Sequence, residues 1–217
     1  MKVTFFDKYK TDIEDILEIT VEELLSKLTK KKPAHKIAFI SSANSVGFMD
    51  GGSDLAYMKA IENIETTVRK GIALNTQCTT TGIPYLHIGD TMGFFMTDNV
   101  FFVCAPVMLL PQKVLDTDNQ YYALKSALQL CKYVGIEEVY TPMMCTGWGG
   151  QDYKTSYKLM MKAVREYDNK EHLCKINIYT DSSNSYIYNM QTTKQRKYIL
   201  EKQPKIKMNE EFGVKLD

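Results

Sequence analysis

The amino-acid sequence predicts an α/β domain: a largely parallel or mixed sheet flanked by helices. Three observations lead there. Short β-rich runs alternate with segments whose apolar residues recur at helical spacing, the pattern of a sheet covered by helices. Two of those β-rich runs end in glycine-rich loops that open helices. The chain has 217 residues, 44% hydrophobic and 24% charged, a size and balance that bury one sizeable core without staples.

The elements follow in order. Residues 2–6 are a β-rich run, a first strand ending at Asp7. Residues 13–28 place Ile13, Ile16, Leu17, Val21, Leu24, Leu25 and Leu28 at a spacing that predicts one or two amphipathic helices. Thr20 and Glu23 stand three apart, as in a capping box. Lys30-Lys31-Lys32-Pro33 reads as a solvated loop rather than an anion patch. Residues 36–40 are a buried strand candidate that runs into Ser41-Ser42-Ala43-Asn44. After a loop with Gly47, Gly51 and Gly52, Asp54 opens a helix carrying Tyr57, Ile61, Ile64 and Val68 on one face, and Gly71 ends it. Residues 85–88, 93–96 and 100–104 are β-rich, with a tight turn at Asp98-Asn99. Residues 121–134 read as a helix and 138–142 as a strand. The second glycine loop then leads into a helix with Tyr153, Tyr157, Met160 and Val164 on one face. Residues 175–180 are the last strand, and a polar loop runs from it to Tyr186. One domain is expected over residues 1–190, with a helical insertion at about 11–32, followed by a charged C-terminal helix or tail over 191–217.

Composition excludes several function classes. A formal net charge of +1 supplies no long-range field for nucleic acid or anionic membrane, and no nucleic-acid-binding motif is present. The five cysteines (Cys78, Cys104, Cys131, Cys145, Cys174) form no CxxC pair, and three of them sit in apolar runs, which points to a reducing compartment. The three histidines are far apart and give no zinc spacing, so no metal or other cofactor is expected. No leader-like segment opens the chain and no apolar run approaches the ~18 residues of a membrane helix. A cytoplasmic location is expected.

The two glycine loops carry the chemistry. Glycine lets the backbone approach a ligand and adopt positive φ. The first turn of a helix leaves N–H groups unpaired, and the helix dipole favours negative charge there. Strand, glycine loop and helix therefore make a phosphate site, and two of them at the ends of neighbouring strands would clamp a diphosphate. Either loop taken singly is as well explained by a tight connection between packed elements. Neither is a Walker A loop or a clean GxGxxG.

Ser42-Ala43-Asn44-Ser45-Val46-Gly47-Phe48-Met49-Asp50-Gly51-Gly52-Ser53-Asp54-Leu55-Ala56 resembles the first loop of macro domains, which bind ADP-ribose, and is most similar to a microbial and phage-like subgroup. Pro142-Met143-Met144-Cys145-Thr146-Gly147-Trp148-Gly149-Gly150 is similar to the family's second loop. The resemblance implies a three-layer α/β/α macro-domain fold with a mixed central sheet. It also implies that Gly51, Gly52, Ser53 and Asp54 lie along the phosphates and distal ribose, and that Asn44 bonds the distal ribose. Cys145, Thr146, Gly147, Trp148 and Gly149 would meet the diphosphate from the other side. Asp7 would accept the adenine amino group and Tyr186 flank the adenine. Each has a plainer reading: Asp54 as a helix cap, Asn44 as an Asx turn, Trp148 as a core anchor, Asp7 as a turn residue, Tyr186 as a packed edge residue.

The hydrolytic members cleave ADP-ribose from acidic side chains or remove groups from the distal ribose. By resemblance, Asp54 would orient or deprotonate the water and Asn44 would fix the ribose. Asp50, Ser53 and the position of Trp148 depart from the hydrolytic pattern. The expected function is therefore binding of ADP-ribose or a derivative, with hydrolysis from mono-ADP-ribosylated protein or a related distal-ribose ester. The alternative is a non-catalytic reader of ADP-ribosylated proteins. A third class would use Cys145 as a nucleophile activated by the helix that follows.

Overall fold

Two strands form the spine of the molecule: β3 (Ile37–Asn44) and β5 (Val100–Met108). Every residue of β5 is buried, and only Ser42 of β3 is partly open, as strands covered on both faces require. In the computed structural model, which describes residues 1–9, 11–30, 33–74, 82–168, 174–180 and 186–192, they lie at the centre of one mixed eight-stranded sheet. The other strands are β1 (Lys2–Asp7), β2 (Ile16–Glu18), β4 (Thr91–Thr97), β6 (Glu138–Pro142), β7 (Cys174–Thr180) and β8 (Tyr186–Thr192). The order is β2-β1-β6-β3-β5-β4-β8-β7. From β2 to β5 all pairs are parallel; β4 pairs antiparallel with β5, β8 with β4, and β7 with β8.

Successive side chains of a strand point to opposite faces, and the core divides accordingly. Phe6, Phe39 and Phe102 pack under α1 (Val21–Thr29), α2 (Gly52–Ala60) and α3 (Ile64–Ala73), against Leu24, Tyr57, Val68 and Ile72. Their neighbours Phe5, Ile40 and Phe101 pack under α4 (Asn119–Tyr133) and α5 (Tyr153–Glu166), against Leu124, Leu128 and Met160. The result is the expected three-layer α/β/α arrangement around a mixed sheet. Thr20 caps α1 in a complete capping box with Glu23.

The structure corrects five local expectations. Residues 175–180 are not the last strand, because β8 follows and pairs antiparallel with them. Residues 13–19 are not helical. Ile16–Glu18 form β2, which pairs with the open edge of β1 in the register Phe5↔Ile16, so the insertion is a strand followed by one helix. The single helix expected from Asp54 to Gly71 is two, because the chain is extended at Ile61 and left-handed at Asn63 (φ 57°). Gly71 does not end α3 but lies inside it, where a Cβ would overlap the Met92 side chain. Residues 85–88 form no strand: Leu86 and Ile88 are apolar because they fill the core, and the Leu86 N–H donates to the Ser45 carbonyl. The helix expected near 194–201 and the loop at 181–185 lie outside the described residues. Among the described residues no helix is long and apolar enough to cross a membrane.

Candidate functional site

Because β1, β6 and β3 are parallel neighbours, the segments leaving their C-terminal ends emerge on one edge of the sheet. Between them is a crevice of about 660 Å³, within the range of small-molecule sites. Gly51, Gly52, Ser53 and Asp54 line it from one side and Thr146, Gly147, Trp148 and Gly149 from the other, with Asp7, Asn44 and Cys145 also on its wall. Of the residues singled out from the sequence, Tyr186 alone is placed by its backbone register. It opens β8, which runs parallel to β5 but lies beyond β4; the pairings Phe94↔Ile187 and Phe94↔Phe102 put Tyr186 toward the opposite edge of the sheet from the crevice. Its side chain lies outside the described residues.

The first loop is held by side chains. Asn44 Nδ2 donates to the Phe48 carbonyl (2.7 Å), and Asn44 Oδ1 accepts from the Phe48 N–H (3.1 Å), closing the turn through Gly47, which has φ +77°. The Arg69 guanidinium lies over the Phe48 ring at 5.3 Å. Gly51 is the N-cap of α2 and makes no side-chain cap, so the N–H groups of Gly52, Ser53 and Asp54 have no partner among the described residues. A Cβ at Gly51 or Gly52 would meet nothing within 4 Å; this backbone faces open space. Asp54 is not the cap but stands in the first turn of α2, 6% exposed, and accepts a hydrogen bond from Ser41 Oγ of β3. Burial pushes its carboxyl up to about 7; Ser41 opposes the shift, and the charges of Asp50 and Glu65 add to it. Asp50 itself is exposed on the crevice rim.

The second loop is held by main chain and one amide. Cys145 takes a left-handed conformation (φ 61°), and its carbonyl accepts from the Gln151 N–H (2.9 Å). Gly149 passes so close that a Cβ would lie 2.5 Å from the Cys145 carbonyl oxygen, which only glycine avoids. Gln151 Nε2 donates to the carbonyls of Val114, Leu115 and Thr117, tying the loop after β5 to this one. Asp152 caps α5, accepting from the Thr155 N–H (2.9 Å). The N–H groups of Thr146, Gly147, Trp148 and Gly149 donate to nothing among the described residues. Trp148 is 70% exposed, so it is no core anchor. Cys145 is buried, and burial pushes its thiol up to about 12; this rules against the nucleophile reading, which needs a thiolate.

At the end of β1, Asp7 is already engaged. Its Oδ1 accepts from the Tyr9 N–H (2.9 Å) and its Oδ2 from the Tyr153 hydroxyl (3.2 Å). Burial and the Asp7 charge raise the Tyr153 hydroxyl above its ordinary range. Two participants escaped the sequence reading. The signal for Ser41 is a hydroxyl inside an apolar strand; the spacing shows Tyr153 only as an apolar helix position. Among the described residues no group of three His, Cys, Asp or Glu could hold a metal ion.

No protein-family model matches the sequence, and no curated protein matches it. Among solved structures, the chain is similar to the macrodomain of Mycobacterium tuberculosis DarG, at 17% identity and a TM-score of 0.50, over 61% of this chain and 84% of that one. Thermosipho africanus DarTG in complex with ADP-ribose matches at 15% identity and a TM-score of 0.48, over 59% of this chain and 35% of that one. A macrodomain of Oceanobacillus iheyensis with ADPR matches at 16% and 0.48, over 61% and 70%. The chain has a macrodomain-type fold.

Proposed function

We propose that this protein binds ADP-ribose or a derivative of it, with the diphosphate held between the two glycine loops. One observation carries this reading: Gly52–Asp54 and Thr146–Gly149 line a single crevice, and their main-chain N–H groups have no partner among the described residues. Amides fixed in that way, with a helix N-terminus behind the first set, suit a doubly charged linker better than any neutral ligand. The likeness of the fold to the macrodomain of DarG supports the reading. The free thiols of Cys104, Cys131 and Cys145 suit a reducing, cytoplasmic setting.

The reaction we assign is release of ADP-ribose from a mono-ADP-ribosylated protein, or cleavage of a related ester on the distal ribose. Asp54 lines the crevice, and a carboxyl raised to about 7 is matched to taking a proton from water near neutrality. A second reading, a non-catalytic reader, is favoured by one detail. Asn44 spends one Nδ2 hydrogen and its Oδ1 on Phe48, which supports a role in shaping the loop. Two measurements separate the readings: calorimetry with ADP-ribose, and an assay for release from a mono-ADP-ribosylated protein. Binding together with release that Asp54→Asn abolishes identifies a hydrolase. Binding without release identifies a reader, and absence of binding overturns both.

A further inference from the structure

Asp54 stands between two spaces. One is the crevice; the other is a small apolar gap beneath the first loop, lined by Ala43, Met49, Val68 and Phe102, in which Ser41 carries the only hydroxyl. Successive residues of β3 divide between them: Ser42 and Asn44 line the crevice, Ser41 and Ala43 the gap. Ser41 is therefore out of reach of a ligand, yet its Oγ donates to Asp54 Oδ1 and is the only donor to that carboxyl among the described residues. The gap is too small to admit a water, so no solvent molecule can replace the hydroxyl. Oδ2 accepts nothing among the described residues and is not sealed from solvent, which leaves it to the crevice. The ionisable groups around the carboxyl are Asp50 of the same loop, Glu65 of α3, Tyr57 of α2 and Cys104 of β5. Burial keeps Tyr57 and Cys104 neutral, and the charges of Asp50 and Glu65 oppose ionisation of Asp54. Ser41 is the one side chain among these that favours the carboxylate.

We propose that Ser41 is a positioning residue for the release reaction: its hydroxyl ties Oδ1 of Asp54, leaves Oδ2 to the crevice and holds the carboxylate ready to take a proton from water. The proposal rests on the hydrolase reading of the crevice, and it extends that reading to a residue that never touches the ligand.

The test compares the unaltered chain with Ser41→Ala and with Ser41→Thr, which keeps the hydroxyl. Two readouts are followed across about pH 5–9: the titration midpoint of the Asp54 side-chain carboxyl resonance, and release of ADP-ribose from a mono-ADP-ribosylated protein. Ser41→Ala should titrate about one pH unit higher. Its release at neutral pH should fall about fivefold and recover in base, with KM moved less than about twofold. Ser41→Thr should follow the unaltered protein in both readouts. Ser41→Cys, a weaker donor of similar size, should fall between them and serves if Ser41→Ala does not fold. A loss of release that is equal at every pH, or that threonine does not restore, would mark a merely structural role and overturn the proposal. If the unaltered protein releases ADP-ribose and Ser41→Ala titrates and turns over as it does, this proposal fails and the hydrolase reading stands. If the unaltered protein releases none, both fall.

Discussion

The two loops lining the crevice share one feature, a row of main-chain amides with no partner among the described residues, but they are held in opposite ways. The first is braced by polar side chains: the Asn44 amide on Phe48 and the Ser41 hydroxyl on a buried Asp54. The second is braced by close main-chain approach at Gly149 and by the Gln151 amide, and its one ionisable side chain, Cys145, stays a neutral thiol. A buried carboxyl responds to pH and a glycine contact responds to added volume. The first loop is therefore expected to be the titratable half of the site and the second the sterically intolerant half.

The largest effect expected from this difference is in pH. The Asp54 carboxyl is raised from 3.8 to about 7 in the folded protein. For a raised carboxyl, the folded state binds more protons than the unfolded one between these values. The associated stability is complete below about pH 4, falls as pH rises toward 7 and is level above. Three units correspond to about 4 kcal/mol as an upper bound. Denaturant unfolding from pH 4 to 8 should show a decline in the unaltered protein that Asp54→Asn largely removes; parallel curves would break the comparison. Next in size is Gly149→Ala, which drives a Cβ into the Cys145 carbonyl. We expect a loss of about 1–3 kcal/mol, read as a lowered melting temperature, together with loss of ADP-ribose binding. Gly52→Ala meets no atom but must adopt φ +57°. It should cost about 1–2 kcal/mol at most. A Gly52→Ala variant as unstable as Gly149→Ala would mean that the loops are not held differently. Trp148→Ala, at a side chain 70% exposed, should leave stability within about 0.5 kcal/mol while weakening ligand affinity, a split that thermal melting and calorimetry resolve.

The strand–loop–helix units of the site were legible because each is local: an apolar run, then glycines, then helical spacing. What escaped depends on distant partners. Ile16–Glu18 is too short for its spacing to separate a strand from a helix, and only the free edge of β1 decides it. Helical spacing continues unbroken from Tyr57 through Ile61 to Val68, so the left-handed turn at Asn63 leaves no periodic trace. Tyr186 is expected at the crevice only through the resemblance, which implies an aromatic residue after the last strand. β7, however, runs antiparallel to β8, which itself parallels β5, so β7 ends at the opposite edge. Ser41 and Tyr153 matter through partners in another element, Asp54 and Asp7, and no spacing within one segment reveals such a pair.

Titration of isotopically labelled protein with ADP-ribose, followed through backbone amide resonances, tests the shared grip most directly. The N–H signals of Gly52, Ser53 and Asp54 should shift together with those of Gly147, Trp148 and Gly149, along one binding curve with one dissociation constant. Movement of one set while the other stays fixed, or of neither, would contradict a diphosphate held from both sides.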